Sequence, residues 1–297
     1  MSTDQLGRTL PDPAFTRRSP GEEFAWAVAG TQGDADVEVP FQVPLPAAFP
    51  LFATRPRYAV RHLLKTATVP DHPVPYVHEP PEPAPVPATR PVSGTSYAAS
   101  PEAAFRSSVR VAGLTDLRAS VTVPKGLLDE PALLATFVDY RVLVRLSTVE
   151  NEALLHGTAD GAITGLLRLP ELRRAPLDPA FGADPAAALT AAAAEVEETG
   201  GSCDGIVAHP ALYWRLVADG ALGRLAEAGI RISRTRMISR HEVLLGDFRA
   251  AVTLLEPGVS TVALRRGDGG DRIEAGTRTG LAVHLPQHFV LLSPAGR

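Results

Sequence analysis

Cysteine is almost missing from this chain: Cys203 is the only one in 297 residues. No internal disulfide can form, and no charged-then-apolar signal segment opens the chain, so a cytoplasmic setting is expected. Cys203 lies in the glycine-rich turn GGSCDG with no base near it in sequence, and reads as a structural thiol rather than a nucleophile. Lysine is nearly absent too, Lys65 and Lys125 being the two among 29 basic residues. That usage reflects GC-rich coding rather than a chemistry. No apolar run is long enough to span a bilayer. A formal charge of −4 gives no overall pull toward nucleic acid or anionic membrane.

Signatures of known chemistry are also missing. There is no Walker loop, no GxGxxG and no GxSxG elbow. The histidines, His62, His72, His78, His156, His209, His241, His284 and His288, show neither HExxH nor paired-carboxylate spacing, and read as surface or interface residues. GDGGD at 267–271 lacks the remaining ligands of a calcium loop and reads as a hairpin turn. Arg231, Arg234, Arg236 and Arg240 form the densest positive run. It could hold phosphate, but without interleaved aromatics a strand edge or subunit contact is the preferred reading. No catalytic, cofactor-binding or metal-binding residue is therefore assigned. An enzyme would need Cys203 or His209 acting in a site of unrecognised type.

What the chain does have is ample core material, 45% hydrophobic residues, and one long helix. From Val121 to Gly157 a strand end leads into about 27 helical residues, about 40 Å at the usual rise. Asp129 is expected to cap it, Pro131 to sit in its first turn and Gly157 to stop it. Arg141, Arg145, Thr148 and Glu152 make a narrow polar stripe. Leu133, Leu134, Phe137, Tyr140, Leu143, Val144, Leu146, Val149 and Leu154 cover most of the rest, so this spine must be wrapped on most sides.

Eighteen of the 28 prolines fall in residues 1–101, nine of them between Pro70 and Pro91. Residues 1–57 read as an extended arm with a short helix around GEEFAWAVAG, where Phe24, Trp26 and Val28 are the sticky positions. In VEVPFQVPLPAAFPLF the prolines argue against an interior strand and for an arm lying on another surface. Arg57 to Thr68 is expected to be a short helix. The proline-rich stretch after it is stiff and extended. FRSSVRV and LRASVTV alternate, with Phe105, Val109, Val111, Leu117, Ala119, Val121 and Val123 on one parity and Arg106, Arg110, Arg118 and Thr122 on the other. With GLTD between them they read as a hairpin with one apolar face. A long excursion that returns as strand into the spine helix is a projecting loop.

Beyond the spine, TADGAITGLLRLPELRR is turn-rich. A second helix follows, with Asp184 as cap, Pro185 at its first position and Gly200-Gly201 as stop. DGIVAH reads as a buried strand and HPALYWRLVAD as a helix begun by Pro210. Residues 230–266 read as short strands with a turn at 256–258, and the tail as two strands broken at Pro286. The whole is an α+β or mixed body with the helix of 185–199 flanking a sheet.

This ordered series resembles a known family. VRVAGLTDLRASVTVPKGLLDEPALLATFVDYRVLVRLSTVENEALLHG looks like the end of the extended loop and the spine helix of the tailed-phage capsid fold, shared by phage major capsid proteins and encapsulins. GLLRLPEL, DGIVAHPALYWRLVADG, LLGDFRAAVTLLEPGVSTVALRR and RTGLAVHLPQHFVLLSP are similar to later elements of the same family, so the likeness covers about residues 70–297.

The resemblance implies an α+β tailed-phage capsid (Hong Kong 97 type) fold. Residues 1–66 would be an N-terminal arm and the start of a peripheral domain, and 67–116 an extended loop lying over a neighbouring subunit. Residues 117–165 would be peripheral domain with the spine helix, 166–257 axial domain, 258–279 peripheral strands and 280–297 axial closing strands. It further implies a self-assembling icosahedral shell, with the chain itself as principal partner. Residues 1–57 show no charged scaffolding helix, so the mature chain is expected to start at Met1. That favours an encapsulin nanocompartment in the bacterial cytoplasm, of the biosynthetic-cluster kind. Its shell would enclose cargo enzymes bound on the lumenal face near Phe24 and Trp26, with pores at symmetry axes, and without cofactor, membrane or nucleic acid. The alternatives are a prophage capsid packaging DNA and a cytoplasmic enzyme.

Overall fold

The computed structural model describes residues 18–31, 35–42, 60–80, 89–92, 95–98, 107–176, 184–267 and 269–294. Two compact units emerge: Met1–Pro56, Thr115–Glu150 and Glu256–Thr279 make the first, and Arg57–Leu114, Asn151–Leu255 and Gly280–Arg297 the second. No described helix is long and apolar enough to cross a membrane.

In the first unit, the strands Val37–Gln42, Val259–Arg265, Arg272–Val283 as far as Thr279, and Thr115–Thr122 lie side by side in that order, each antiparallel to the next. Ala119 and Val121 alternate into the core beside Val262, Leu264, Ile273 and Ala275, and Leu117 on the same strand is buried as well. The helix Pro20–Gly30 and the first part of the spine supply Phe24, Val28, Leu134, Val138, Val142 and Leu146 to the same core. Ser19 and Glu22 form a reciprocal capping box, with Ser19 Oγ accepting from Glu22 N at 3.1 Å and Glu22 Oε2 accepting from Ser19 N at 2.8 Å. Gly21 lets this helix press on the spine, since a Cβ there would strike the Ala135 carbonyl. Its N–H donates to Asp139 Oδ1 at 2.8 Å. Burial pushes the Asp139 carboxyl above the usual carboxylate range, against the lowering pull of its bonds to Ser19 and Gly21.

The spine is not one uninterrupted α-helix. It runs as Pro131–Phe137, a π-turn Val138–Val142 and Leu143–His156. The predicted stripe, Arg141, Arg145, Thr148 and Glu152, is exposed throughout. Asp129 is not the cap: it belongs to a 3₁₀ turn, Leu127–Asp129, and Glu130 occupies the cap position with no side-chain bond. Pro131 begins the helix without loss, as anticipated.

In the second unit, a five-stranded sheet has the order Arg231–Arg234, Gly205–Ala208, Val243–Gly246, Phe289–Ser293, Arg173–Pro176. The two outer pairs are parallel and the two inner ones antiparallel. The strands Gly205–Ala208 and Val243–Gly246 are buried at every residue, as the continuous apolar run of DGIVAH requires. Helices Pro185–Glu197, Pro210–Ala218 and Ala221–Glu227 form one apolar cluster with the sheet. Asp184 accepts from Ala187 N at 3.0 Å as the cap of the first of them. The rings of Phe248 and Phe289 meet edge to face at 5.1 Å. Gly205 and Gly246 leave room for those rings, which a Cβ at either position would strike.

Three expectations are corrected here. The described part of the helix expected over 57–68 is not helical in that way: Val60–His62 is a 3₁₀ turn, with Val60 N donating to buried Asn151 Oδ1 at 2.8 Å, and Lys65–Thr68 is a strand. Val37–Gln42 is an edge strand, not an arm. Pro40 stands opposite Thr261 in that edge, where one ladder donor fewer is tolerated. The two alternating segments do not form a hairpin. Ser108–Ala112 pairs with Val74–His78, while Thr115–Thr122 pairs with Arg272–Val283. Alternation specifies which face is apolar but not which strand is the partner. The GDGGD stretch does close a hairpin between Val259–Arg265 and Arg272–Val283, with Gly270 at φ 102° and its N–H on Gly267 O at 2.9 Å. Residues 1–17, 32–34 and 43–57 of the expected arm lie outside the described residues.

Candidate assembly surfaces

Val74–His78 and Ser108–Ala112 form a two-stranded ribbon, and Thr89–Val92 pairs with Thr95–Ala98 in a second hairpin between them in sequence. One side of the ribbon carries Val74, Tyr76 and Ala112, which pack with Leu255 and Ala282. The opposite side carries Val77 facing Val109, and Pro75 facing Val111. Val77, Val109 and Val111 are 50%, 75% and 64% exposed. Three valines on the open side of a ribbon are an unpartnered apolar strip.

The base of the ribbon is held by two histidines. His78 donates from Nδ1 to the Val283 carbonyl at 2.7 Å, and His284 from Nδ1 to the Val77 carbonyl at 2.9 Å. Because a carbonyl only accepts, the donor nitrogen is fixed in both rings. Glu79 N closes on His284 O at 2.8 Å. Tyr76 meets both rings edge-on, and burial raises its phenol above the usual tyrosine range.

A second apolar surface lies on helix Pro210–Ala218, where Trp214 is 60% and Val217 40% exposed. Behind it the Arg234 guanidinium is buried under the rings of Tyr213 at 4.1 Å and Trp214 at 5.1 Å. Arg231 donates to the carbonyls of His62 and Leu63 at 3.0 and 3.4 Å. The arginine run therefore begins on an edge strand with two members already engaged, and it offers no open phosphate cradle.

In the first unit, Trp26 is 69% exposed with Arg18 5.3 Å over its ring, whereas Phe24 is fully buried. Sequence pattern groups the two as sticky. Two positions along a helix, however, turn residues to different faces. Leu133 and Tyr140 of the spine are also exposed. The sheet of this unit has a polar open face. Arg265 reaches Glu38 at 2.7 Å and Asp36 at 3.4 Å, Arg278 reaches Asp116 at 3.2 Å, and these chains flank a shallow hollow of about 250 Å³. Charges there meet opposite charges, Arg265 three carboxylates and Asp116 two arginines.

The residues weighed for catalysis are spent on structure. Cys203 is 4% exposed, and burial pushes its thiol up to about 12, far from a thiolate at neutral pH. In the native chain Cys203 should resist a thiol reagent and react only on unfolding; rapid native labelling would contradict that burial. His209 caps a helix, accepting Ala211 N on Nδ1 at 3.1 Å. His156 and His288 bond to the carbonyls of Met237 and Thr199. Among the described residues no three His, Cys, Asp or Glu side chains gather as a metal site.

No protein-family model matches the chain, and no curated protein matches it in sequence. Solved structures do match. The capsid of an empty GTA particle superposes with a TM-score of 0.56 at 17% identity, covering 81% of this chain and 90% of that one. A virus-like particle from Pyrococcus furiosus gives 0.53 at 13% identity, covering 82% and 96%. Microbacterium phage Oxtober96 gives 0.54 at 16% identity, covering 93% and 100%.

The fold is the tailed-phage capsid fold.

The helix Pro185–Glu197 beside the sheet of the second unit follows the cap and proline start that its residues predict. Alternation in sequence predicts Val109 and Val111 as apolar, but carries no signal for the ribbon's pairing or for the bare face they share with Val77.

Proposed function

We propose that this chain is the subunit of a self-assembling icosahedral shell. The observation that carries the reading is the ribbon: a folded two-stranded element with three valines bare on one side. A second copy covers such a strip at no cost in shape, because closed symmetry repeats one contact around the particle. The first unit then serves as peripheral domain, and the second as axial domain with the extended loop.

We favour an encapsulin compartment with a protein cargo. A formal charge of −4 supplies no general attraction for packaged nucleic acid. Trp26, exposed on the amino-terminal helix, is the candidate contact for cargo enzyme, and Phe24 drops out because it is core. A prophage capsid packaging DNA is the second reading, favoured by the likeness to Microbacterium phage Oxtober96.

Expression of the chain alone, followed by size exclusion and negative-stain microscopy, tests the proposal. Closed particles of uniform size are expected. A particle containing a co-purified protein and little absorbance at 260 nm supports the compartment, whereas nuclease-protected DNA supports the capsid. A monomer at every concentration would contradict autonomous assembly.

A further inference from the structure

The helix Pro210–Ala218 is capped by a titratable group, in a place usually held by Ser, Thr, Asp or Asn. Ala211 donates its N–H to Nδ1 of His209 at 3.1 Å. Nδ1 must therefore carry a lone pair, which requires a neutral ring with its proton on Nε2. Protonation abolishes the acceptor. It also puts a positive charge at the positive end of the helix dipole.

The surroundings oppose the charged ring further. Arg240 and Arg236, from the turn after strand Arg231–Arg234, act on it, and with burial as the larger cause they hold its proton affinity below the ordinary histidine value of 6.5. On the helix itself, Arg215 lies 4.0 Å from Asp219 at the far end. Arg234, on the adjacent strand, is stacked under Tyr213 and Trp214. His241 and Glu242 complete the charged and titratable groups of that turn.

We propose that His209 makes the start of this helix an acid-sensitive switch: neutral, it holds the first turn and the Tyr213–Trp214–Arg234 stack beyond it; protonated, it lets that turn open. A depressed histidine contributes stability in full above about pH 6.5 and loses it as pH falls through the lowered folded value. The same helix presents Trp214 and Val217. If the shell reading holds, acid would therefore loosen a surface available for contact between copies, and only this consequence rests on that reading.

Hydrogen exchange of the full chain, followed in the peptide spanning Pro210–Val217 and corrected for intrinsic rates, tests the switch at about pH 7.5 and about pH 5. In the wild type, protection should fall about two- to fivefold on acidification, the lower part of the range for a lost cap. His209→Asn retains an acceptor that does not titrate and should lose no protection. His209→Ala should be poorly protected at both pH values. His209→Ser repeats the Asn arm should that variant fail to fold. Equal acid responses in the wild type and the Asn or Ser variant, or no response in the wild type, would overturn the switch. Light scattering of the same samples reports particles separately, so a chain that never assembles would defeat the shell reading and leave the exchange result standing.

Discussion

Val109→Asp, alone or with Val77→Asp, is expected to yield a folded chain that no longer forms particles. Val77 and Val109 face each other across the ribbon and stand 50% and 75% exposed, so a carboxylate at either position stays solvated in the free subunit. Surface changes of this kind usually move stability by within about 0.5 kcal/mol. In a covered contact the same carboxylate must be desolvated without a partner, at a cost of several kcal/mol per contact, roughly. Every subunit repeats the contact, and the penalty multiplies around the shell. Circular dichroism and melting should match the wild type, while size exclusion should show the particle peak reduced more than about tenfold, since about 1.4 kcal/mol already shifts an equilibrium by that factor. Particles of normal yield from the double variant would remove the ribbon from the assembly account.

Gly165→Ala should be the most damaging single methyl in the second unit. Gly165 has ordinary extended angles, φ −65° and ψ 147°, so the backbone does not exclude alanine. Space does. A Cβ there would run into Gly157 N, the His156 carbonyl carbon and Leu155 O, all of them backbone at the end of the spine helix. Gly157 itself sits at φ 82° as the helix stop and bonds through its N–H to Ala153 O at 2.9 Å, so it cannot retreat without uncoiling the last turn. Overpacking against side chains costs typically 1–3 kcal/mol, and a backbone neighbour puts this variant at about 3 kcal/mol or more. Thermal melting should fall by roughly 6–12 °C. Gly223→Ala is the matched control, because that glycine lies within helix Ala221–Glu227 with nothing near its missing Cβ. It should gain about 0.5–1 kcal/mol from helix propensity. A melting point for Gly165→Ala equal to the wild type would contradict the tight turn.

These two sites differ in how far the sequence announced them. The stop at Gly157 was readable from the end of the apolar periodicity, but its need for Gly165 depends on a backbone approach that no pattern encodes. Leu117, Ala119, Val121, Val109 and Val111 were legible as apolar alternation, yet one parity hid two fates. The first three are buried, and the last two lie bare on a different sheet, because pairing is chosen by the whole chain. Local chemistry at single elements was easier to read. The Asp184 cap, the Pro210 helix start, the buried run of DGIVAH and the hairpin turn of 267–271 each follow from neighbours in sequence. The π-turn at Val138–Val142 left no composition signal, and Lys65–Thr68 is too short for its period to outvote the helical look of RYAVRHLL. Phe24 and Trp26 show the same limit at a candidate site: both are aromatic and only one is exposed.

The most direct test of the shell account is a three-dimensional electron-microscopy reconstruction of the particles formed by the chain expressed alone. The account predicts a closed icosahedral shell in which Val77, Val109 and Val111 of each subunit are covered by a neighbouring copy. A closed shell that leaves these valines in solvent would refute the ribbon as its contact, and the absence of any closed particle would refute the shell itself.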